Sequence, residues 1–321
     1  MEHITIGTRA SKLAMIQTAE VIERLRQQWP DLEIAIERIH THGDRITDVP
    51  LTQIGGDGVF VTEIERALTE KCIDLAVHSL KDLPTVQPDG LSLVIIGPRE
   101  DVRDVLIWND QVSQHVANLR IGTCSLRRTA QILTLYPNAR ILPLRGNVDT
   151  RLRKLDSGEY DAIVLAAAGL HRLGVHERLL DRITYLPIDS MMPAPGQGAL
   201  ALETRDDPQM RALIAPLNDP TVQATTTAER AFMRRLGAGC YLPIAAHGQA
   251  ANQTLALQGL VISLDGQLQV RVHHSIPWTP KTTLQQAEQL GIQLAEQALT
   301  KGAAEIINAI NADRTEEWQH V

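Results

Sequence analysis

The sequence predicts an α/β protein built from mostly parallel, helix-covered sheets, with a smaller α+β domain at its C-terminal end. Three observations carry this expectation. Short apolar, strand-like runs alternate with helical patterns up to about residue 200, the rhythm of βαβ units. The rhythm restarts near residue 100, so it is run through twice. After Pro220 it changes to a helix, two strands and a long helical pattern. A chain of 321 residues, 44% hydrophobic, has room for two or three domains with cores of their own.

Element by element, Ile4–Gly7 is the first strand. Thr8–Ser11 leads from it into a helix with apolar Leu13, Ala14, Ile16, Val21, Ile22 and Leu25. Glu33–His40 is the second strand. Gly55–Gly58 is a glycine-rich loop before an amphipathic helix that runs through Leu68. Leu75–His78 is a short buried strand ending in Ser79–Pro84. In the second pass Arg120–Thr123, Ile141–Leu144 and Ala162–Ala166 read as strands, with helices starting near Leu126, Val148 and Leu170. Pro187–Pro195, rich in proline and methionine, reads as a crossing segment or hinge. Then come a helix over Val222–Leu236, a turn at Gly237–Gly239, and strands Leu255–Ser263 and Leu268–His274 around a hairpin turn at Leu264–Gln267. A helical pattern over Leu284–Ile310 closes the series.

Composition narrows the function. A formal net charge of −7 gives no reason to expect a nucleic-acid partner. No apolar run approaches the roughly 20 residues of a bilayer span, and the N-terminus does not read as a signal peptide, so a cytoplasmic protein without membrane partners is expected. Cys72, Cys124 and Cys240 show neither a disulfide framework nor metal-ligand spacing. His40 and His42, and His273–His274, fall in strand patterns and read as structural or surface histidines, so no metal is expected.

The chemistry-bearing residues sit where strands end and helices begin. Thr8-Arg9-Ala10-Ser11, Thr123-Cys124-Ser125-Leu126-Arg127-Arg128 and Arg145-Gly146-Asn147, with Arg151 and Arg153 in the next turn, each place Arg, Ser or Thr at a helix start. A helix N-terminus offers unpaired N–H groups and partial positive charge, and Arg adds planar, bidentate donors for carboxylate or phosphate. In parallel sheets such junctions gather at the C-terminal strand edges, where ligands bind. For a single junction, capping residues with solvated arginines explain the pattern as well; three together favour an anion site in an acidic protein. Asp82, in Leu80-Lys81-Asp82-Leu83-Pro84, lies at the same kind of edge. It reads equally as a charge-stabilising or proton-transferring carboxylate and as a turn residue before proline. Cys240, in Gly-Ala-Gly-Cys, reads as a structural cysteine or as a loop nucleophile. Leu165–Ala168 and Gly196–Ala199 are small-residue stretches that permit close backbone approach to a ligand.

Five blocks together resemble the porphobilinogen deaminase (hydroxymethylbilane synthase) family: His78-Ser-Leu-Lys-Asp-Leu-Pro84, Gly122-Thr-Cys-Ser-Leu-Arg-Arg128, Leu144-Arg-Gly-Asn-Val-Asp-Thr-Arg151, Gly196-Gln-Gly198 and Gly239-Cys-Tyr-Leu-Pro-Ile244. They keep the family's order and spacing over roughly residues 5–245. The resemblance implies two doubly wound α/β lobes, similar to the domains of type II periplasmic binding proteins, with the active cleft between them, plus a small α+β domain. The first would span 1–97 with 197–217, the second 102–192 and the third 219–321.

By the same resemblance the chain is a transferase of tetrapyrrole and heme biosynthesis. It carries a dipyrromethane cofactor bound through Cys240, with Asp82 as the catalytic carboxylate. Lys81, Ser125, Arg127, Arg128, Arg145 and Gly146 would hold the cofactor, and Arg9, Ser11, Arg151 and Arg172 the substrate. Porphobilinogen would lose ammonia to give a cationic azafulvene that the terminal pyrrole of the primer attacks. Four additions and hydrolysis would release hydroxymethylbilane. Each ring bears two carboxylates, which accounts for arginines gathered in an acidic protein. The expected partner is the small-molecule substrate, and the expected state a monomer. One stretch departs from the family: Gln53-Ile-Gly-Gly-Asp-Gly58 stands where lysines are usual, and Asp57 reverses the sign of a loop expected to be mobile. The alternative readings are a non-catalytic two-lobed anion-binding protein and a low-activity deaminase-like protein.

Overall fold

The computed structural model describes residues 2–41, 61–112, 118–237, 242–279, 281 and 283–319. The expectations for His42, for Gln53 and Asp57 in the glycine-rich loop, and for Cys240 lie outside the described residues. The chain divides into two compact units. The first holds Met1–Val102, Ala167–Arg178 and Gly196–Gln223; the second holds Arg103–Ala166, Leu179–Pro195 and Ala224–Val321.

The first unit begins with β1 (His3–Arg9), α1 (Lys12–Gln28), β2 (Glu33–Ile39), α2 (Thr62–Thr69), β3 (Leu75–Ser79) and a 3₁₀ turn over Leu80–Asp82. Next come β4 (Leu91–Ile96) in this unit and β5 (Asp104–Trp108) in the second. The second unit continues with β6 (Arg120–Gly122), α3 (Leu126–Leu135), β7 (Arg140–Leu142), α4 (Val148–Asp156) and β8 (Ala162–Ala166). After α5 (Ala167–Arg172) come β9 (Ile183–Tyr185), β10 (Leu200–Arg205), α6 (Pro208–Ile214) and α7 (Pro220–Arg235).

The two five-stranded sheets have one plan. Their orders are β2-β1-β3-β10-β4 and β7-β6-β8-β5-β9. In each, three strands of βα units run parallel, and a fourth strand enters against them from a distant part of the chain. β10 is antiparallel to β3 and β4, and β5 to β8 and β9. Four of the five strands in each sheet thus run the same way, as the mostly parallel pattern predicts, and β10 or β5 alone opposes them. Strands β4, β5, β9 and β10 are additional to those expected: β4, β5 and β9 each lead on to another strand, and β10 is followed only by the short α6. Ile4, Ile6, Val21, Leu25, Leu75 and Leu202 pack in the first core, and Leu106, Ile121, Ile132 and Val164 in the second. Pro187–Pro195 forms neither helix nor strand, and its Met191 and Met192 are buried.

The C-terminal part is an antiparallel sheet of β11 (Ile244–Ala251), β12 (Thr254–Ile262) and β13 (Gln269–Pro277), packed against α7, α8 (Leu284–Ala298) and α9 (Ala304–Gln319). The first of its strands is also additional. A Cβ on Gly259 would stand 2.5 Å from the Phe232 ring, so this strand position admits the aromatic core residue only as glycine. The single long helix expected over Leu284–Ile310 is interrupted at Leu299–Ala303, where Gly302 has φ +102, a conformation outside the helix and accessible chiefly to glycine. The architecture is α/β with a small α+β C-terminal domain. Among the described residues no helix is long and apolar enough to cross a membrane.

Candidate active site

The candidate catalytic carboxylate stands on a turn held from behind. Strand β3, Leu-Ala-Val-His-Ser, is buried up to Ser79, and Leu80 at the head of the turn is fully buried. The turn then delivers Lys81 half-buried and Asp82 exposed. Its backing is Gly196–Ala199. Leu80 N donates to Ala199 O at 3.0 Å, and a Cβ on Gly196 would lie 2.9 Å from Leu80 Cγ. Gly198, with φ +88, admits the Glu100 carbonyl where a Cβ would come within 2.3 Å. Gln197, fully buried, ties the arrangement together. Its Oε1 accepts from Lys81 Nζ at 3.3 Å, its Nε2 donates to Val102 O at 2.7 Å, and its carbonyl accepts from Arg99 Nε at 2.8 Å. The small-residue stretch thus serves approach between protein segments.

In front of this turn lies a cavity of about 70 Å³ whose polar lining is Arg9, Ser11, Gln17, His78, Ser79 and Asp82. Arg9 ends β1, and Ser11 caps α1 by accepting from Ala14 N at 3.3 Å. Gln17 Nε2 donates to Ser79 Oγ at 2.8 Å, joining α1 to the end of β3. A guanidinium, a helix N-terminus and a hydroxyl therefore face the same space as a carboxylate. This arrangement can take a carboxylate on one side and steady a developing cation on the other. Arg172 lies elsewhere in this unit, donating to Gly198 O at 2.9 Å and pairing with Glu20 at 3.6 Å.

In the second unit the predicted cations form two groups at the ends of the adjacent parallel strands β6 and β7. Past β7, Gly146 has φ +107, Arg151 Nε donates to the Gly146 carbonyl at 2.7 Å, and Asn147 caps α4 by accepting from Thr150 N at 2.9 Å. Arg145, beside them, is half-buried. Past β6, Ser125 caps α3 with an acceptor oxygen 3.5 Å from Arg128 N.

Arg127 and Arg128 depart from the picture of open anion donors. They are 5% and 7% exposed and both engage Asp104, itself fully buried. Arg127 Nη1 donates to Asp104 Oδ2 and to Met192 O, at 2.7 and 2.8 Å. Arg128 donates through Nε and Nη2 to Asp104 Oδ1, at 3.1 and 2.7 Å, and through Nη1 to Val164 O at 3.2 Å. Burial by itself would raise the Asp104 carboxyl, but the two guanidiniums overcome it and hold that carboxyl well below the usual carboxylate range.

Asp104 and Glu203 are neighbours of the candidate site residues that motif reading passes over, and Gln197, quoted within a glycine motif, is given no role there. The available signal for Asp104 is a charged residue opening the otherwise apolar Asp-Val-Leu-Ile-Trp. Among the described residues no group of histidine, cysteine and carboxylate side chains could hold a metal ion. Cys72 is exposed and Cys124 half-buried.

Known proteins place this geometry in a family. Residues 4–212 match the model for the porphobilinogen deaminase dipyrromethane cofactor binding domain, and residues 223–300 that for the porphobilinogen deaminase C-terminal domain. The porphobilinogen deaminase of Syntrophotalea carbinolica is 48% identical over 315 residues, 97% of each chain. That of Geobacter sulfurreducens is 45% identical over 96% of this chain and 94% of its own. Among solved structures, the periplasmic aliphatic sulphonate binding protein SsuA from Escherichia coli matches 73% of this chain and 70% of its own at 15% identity, with a TM-score of 0.39. With both domain models matched in order and relatives of this similarity along nearly its whole length, the chain belongs to the porphobilinogen deaminase family.

Proposed function

We propose that the chain is a hydroxymethylbilane synthase: it joins four porphobilinogen molecules head to tail on a Cys240-linked dipyrromethane, releases ammonia at each addition, and frees the product by hydrolysis. The observation that carries the site reading is the exposed Asp82 carboxylate sharing one small cavity with Arg9 and Ser11. The donor set suits a carboxylated group, since guanidiniums and helix N-termini recur at the strand ends of both units. When bound, the dipyrromethane supplies the pyrrole carbon to which the first substrate is joined.

Asp82 steadies the positive charge left as ammonia departs and takes up, on a carboxylate oxygen, the proton shed from the attacked ring carbon. Arg9 and Ser11 hold substrate carboxylates in the cavity, with Arg151 and Arg172 serving later rings. Lys81, Ser125, Arg145 and Gly146 hold the cofactor's acetate and propionate groups. Arg127 and Arg128 contribute to the same task through guanidinium donors beyond those engaged by Asp104, Met192 and Val164. The three-domain division is supported by three separate sheets. Action as a cytoplasmic monomer, on a small-molecule substrate and without nucleic-acid or membrane partners, completes the reading.

The test is the intact mass of the purified protein. The wild type should exceed its sequence mass by one dipyrromethane, and Cys240→Ala should lose both that increment and the activity. Active protein of bare-chain mass would overturn the anchoring.

A further inference from the structure

Behind the Asp82 cavity lies a buried acid–base cluster with no part in the reaction as described so far. In the antiparallel pairing of β3 with β10, His78 is opposite Ala201 and Ala76 is opposite Glu203. His78 and Glu203 are therefore diagonal neighbours on one face of the sheet. His78 Nε2 lies 3.0 Å from Glu203 Oε2; the residues are 6% and 0% exposed. The other carboxylate oxygen of Glu203 is buried and accepts no hydrogen bond. Glu65, on α2, feels the charge of the same pair. Its Oε1 is also buried without a hydrogen bond, and its carboxyl is raised by burial and by the charge of Glu203, against the opposing effect of His78. The imidazole in turn lines the cavity that holds Asp82, Arg9 and Ser11.

The order across this face is thus cavity, imidazole, carboxylate. A fully buried carboxylate is costly unless a cation or a proton compensates it. Among the described residues, His78 is the group at hydrogen-bonding distance that can supply either. Among the described residues, the charged and titratable groups that face His78 or share its cavity include Glu203 from β10, Glu65 from α2, Asp82 from the following turn and Arg9 from β1.

We infer that His78 is a positioning residue for the reaction: Glu203 keeps a proton on it, and the imidazolium presented to the cavity holds Asp82 ionised and oriented. A neutral side chain in place of His78 leaves Glu203 uncompensated behind the cavity and turns the local field against the Asp82 carboxylate. This inference rests on the catalytic reading of Asp82.

The experiment compares kcat and KM against pH for the cofactor-loaded wild type, His78→Gln, Glu203→Gln and the double variant. Glutamine keeps a hydrogen-bonding amide at either position and removes the charge. Each single variant should lose about tenfold in kcat near neutral pH with KM within about twofold. The acid limb of the kcat profile should rise by about one pH unit, the scale of one lost neighbouring charge. The double variant should be no slower than the slower single one, because the pair acts as a unit. Profiles that superimpose on the wild type after scaling, or losses that add, overturn the inference. A second measurement does not depend on those variants folding: the imidazole ¹⁵N shifts of His78 titrated in wild type and in Asp82→Asn. Removing the Asp82 charge should lower the midpoint of His78 by about half a unit or more, and an unchanged midpoint overturns the coupling. An Asp82→Asn enzyme of wild-type rate would instead overturn the catalytic reading of Asp82, whatever the titration shows.

Discussion

Two strand-to-helix junctions of similar sequence end in different electrostatic states. At the close of β1, Arg9 and Ser11 line a cavity opposite an exposed carboxylate. At the close of β6, Ser125 caps its helix in the same manner, but Arg127 and Arg128 turn inward onto Asp104. At the second junction the acid is supplied by another strand. β5 brings Asp104 into the middle of the second sheet, some twenty residues before the arginines it binds. Arginines at a helix start are thus drawn into a structural ion pair where a neighbouring strand contributes a buried carboxylate.

The comparison breaks most visibly at Asp104. Asp104→Ala leaves two buried guanidiniums without their carboxylate and should lower the unfolding free energy by about 3–5 kcal/mol, the scale for orphaning a buried ion pair. Because the folded-state carboxyl is depressed, its stabilisation is complete above the unfolded value near 4 and is lost as pH falls below it. The gap in unfolding free energy between wild type and variant should thus stay constant from pH 8 to 5 and narrow only below about pH 4. A gap that changes near neutrality would point to another group.

Asp82→Asn should do the reverse, leaving the unfolding transition in place. It should slow turnover by at least ~100-fold, or about 2.7 kcal/mol of barrier. Steady-state kinetics beside a thermal melt separates the two effects.

Arg9→Leu and Arg127→Leu sharpen the contrast further. The former should weaken apparent substrate affinity by roughly tenfold, the lower end for a charge-assisted contact, with little change in melting. The latter should move the melting transition first. Equal behaviour of the two in both assays would erase the distinction drawn here.

The smallest effect belongs to the caps. Ser125→Ala should cost about 0.5–1 kcal/mol in a denaturant titration, since its hydrogen bond to Arg128 N is long. Ser11→Ala should cost about as much stability and, in addition, weaken substrate binding.

The sequence makes the βα units legible because their signal is local: an apolar run, a capping residue, then 3.6-residue periodicity over one face. Ser11, Ser125 and Asn147 are recognisable as caps before any coordinates are seen, and Asp82 stands where the motif puts it. The inserted strands are harder to read. Leu200–Arg205 and Asp104–Trp108 pair with residues far away in the chain, and nothing near them announces their direction. The same non-locality hides the partners of the site. Glu203 reaches His78 across 125 residues of sequence, and Gln197 reaches Lys81 across 116. A motif names the residue that carries the chemistry, whereas its support is set by strand neighbours that only the completed sheet defines.

The placement of β10 has a consequence for synthesis on the ribosome. Strands β1 to β4 emerge first, but β3 and β4 are not neighbours; β10 lies between them. Until Leu200–Arg205 leaves the exit tunnel, about a hundred residues after β4, the first sheet has an open slot with unpaired backbone donors and acceptors on both sides. In the second sheet the slot between β6 and β5 is filled sooner, by β8, and all five strands are in hand once Tyr185 is out. Vectorial synthesis therefore lets the later sheet close before the earlier one, and the turn bearing Asp82 receives its Gly196–Ala199 backing only as the last strand of its own sheet is made.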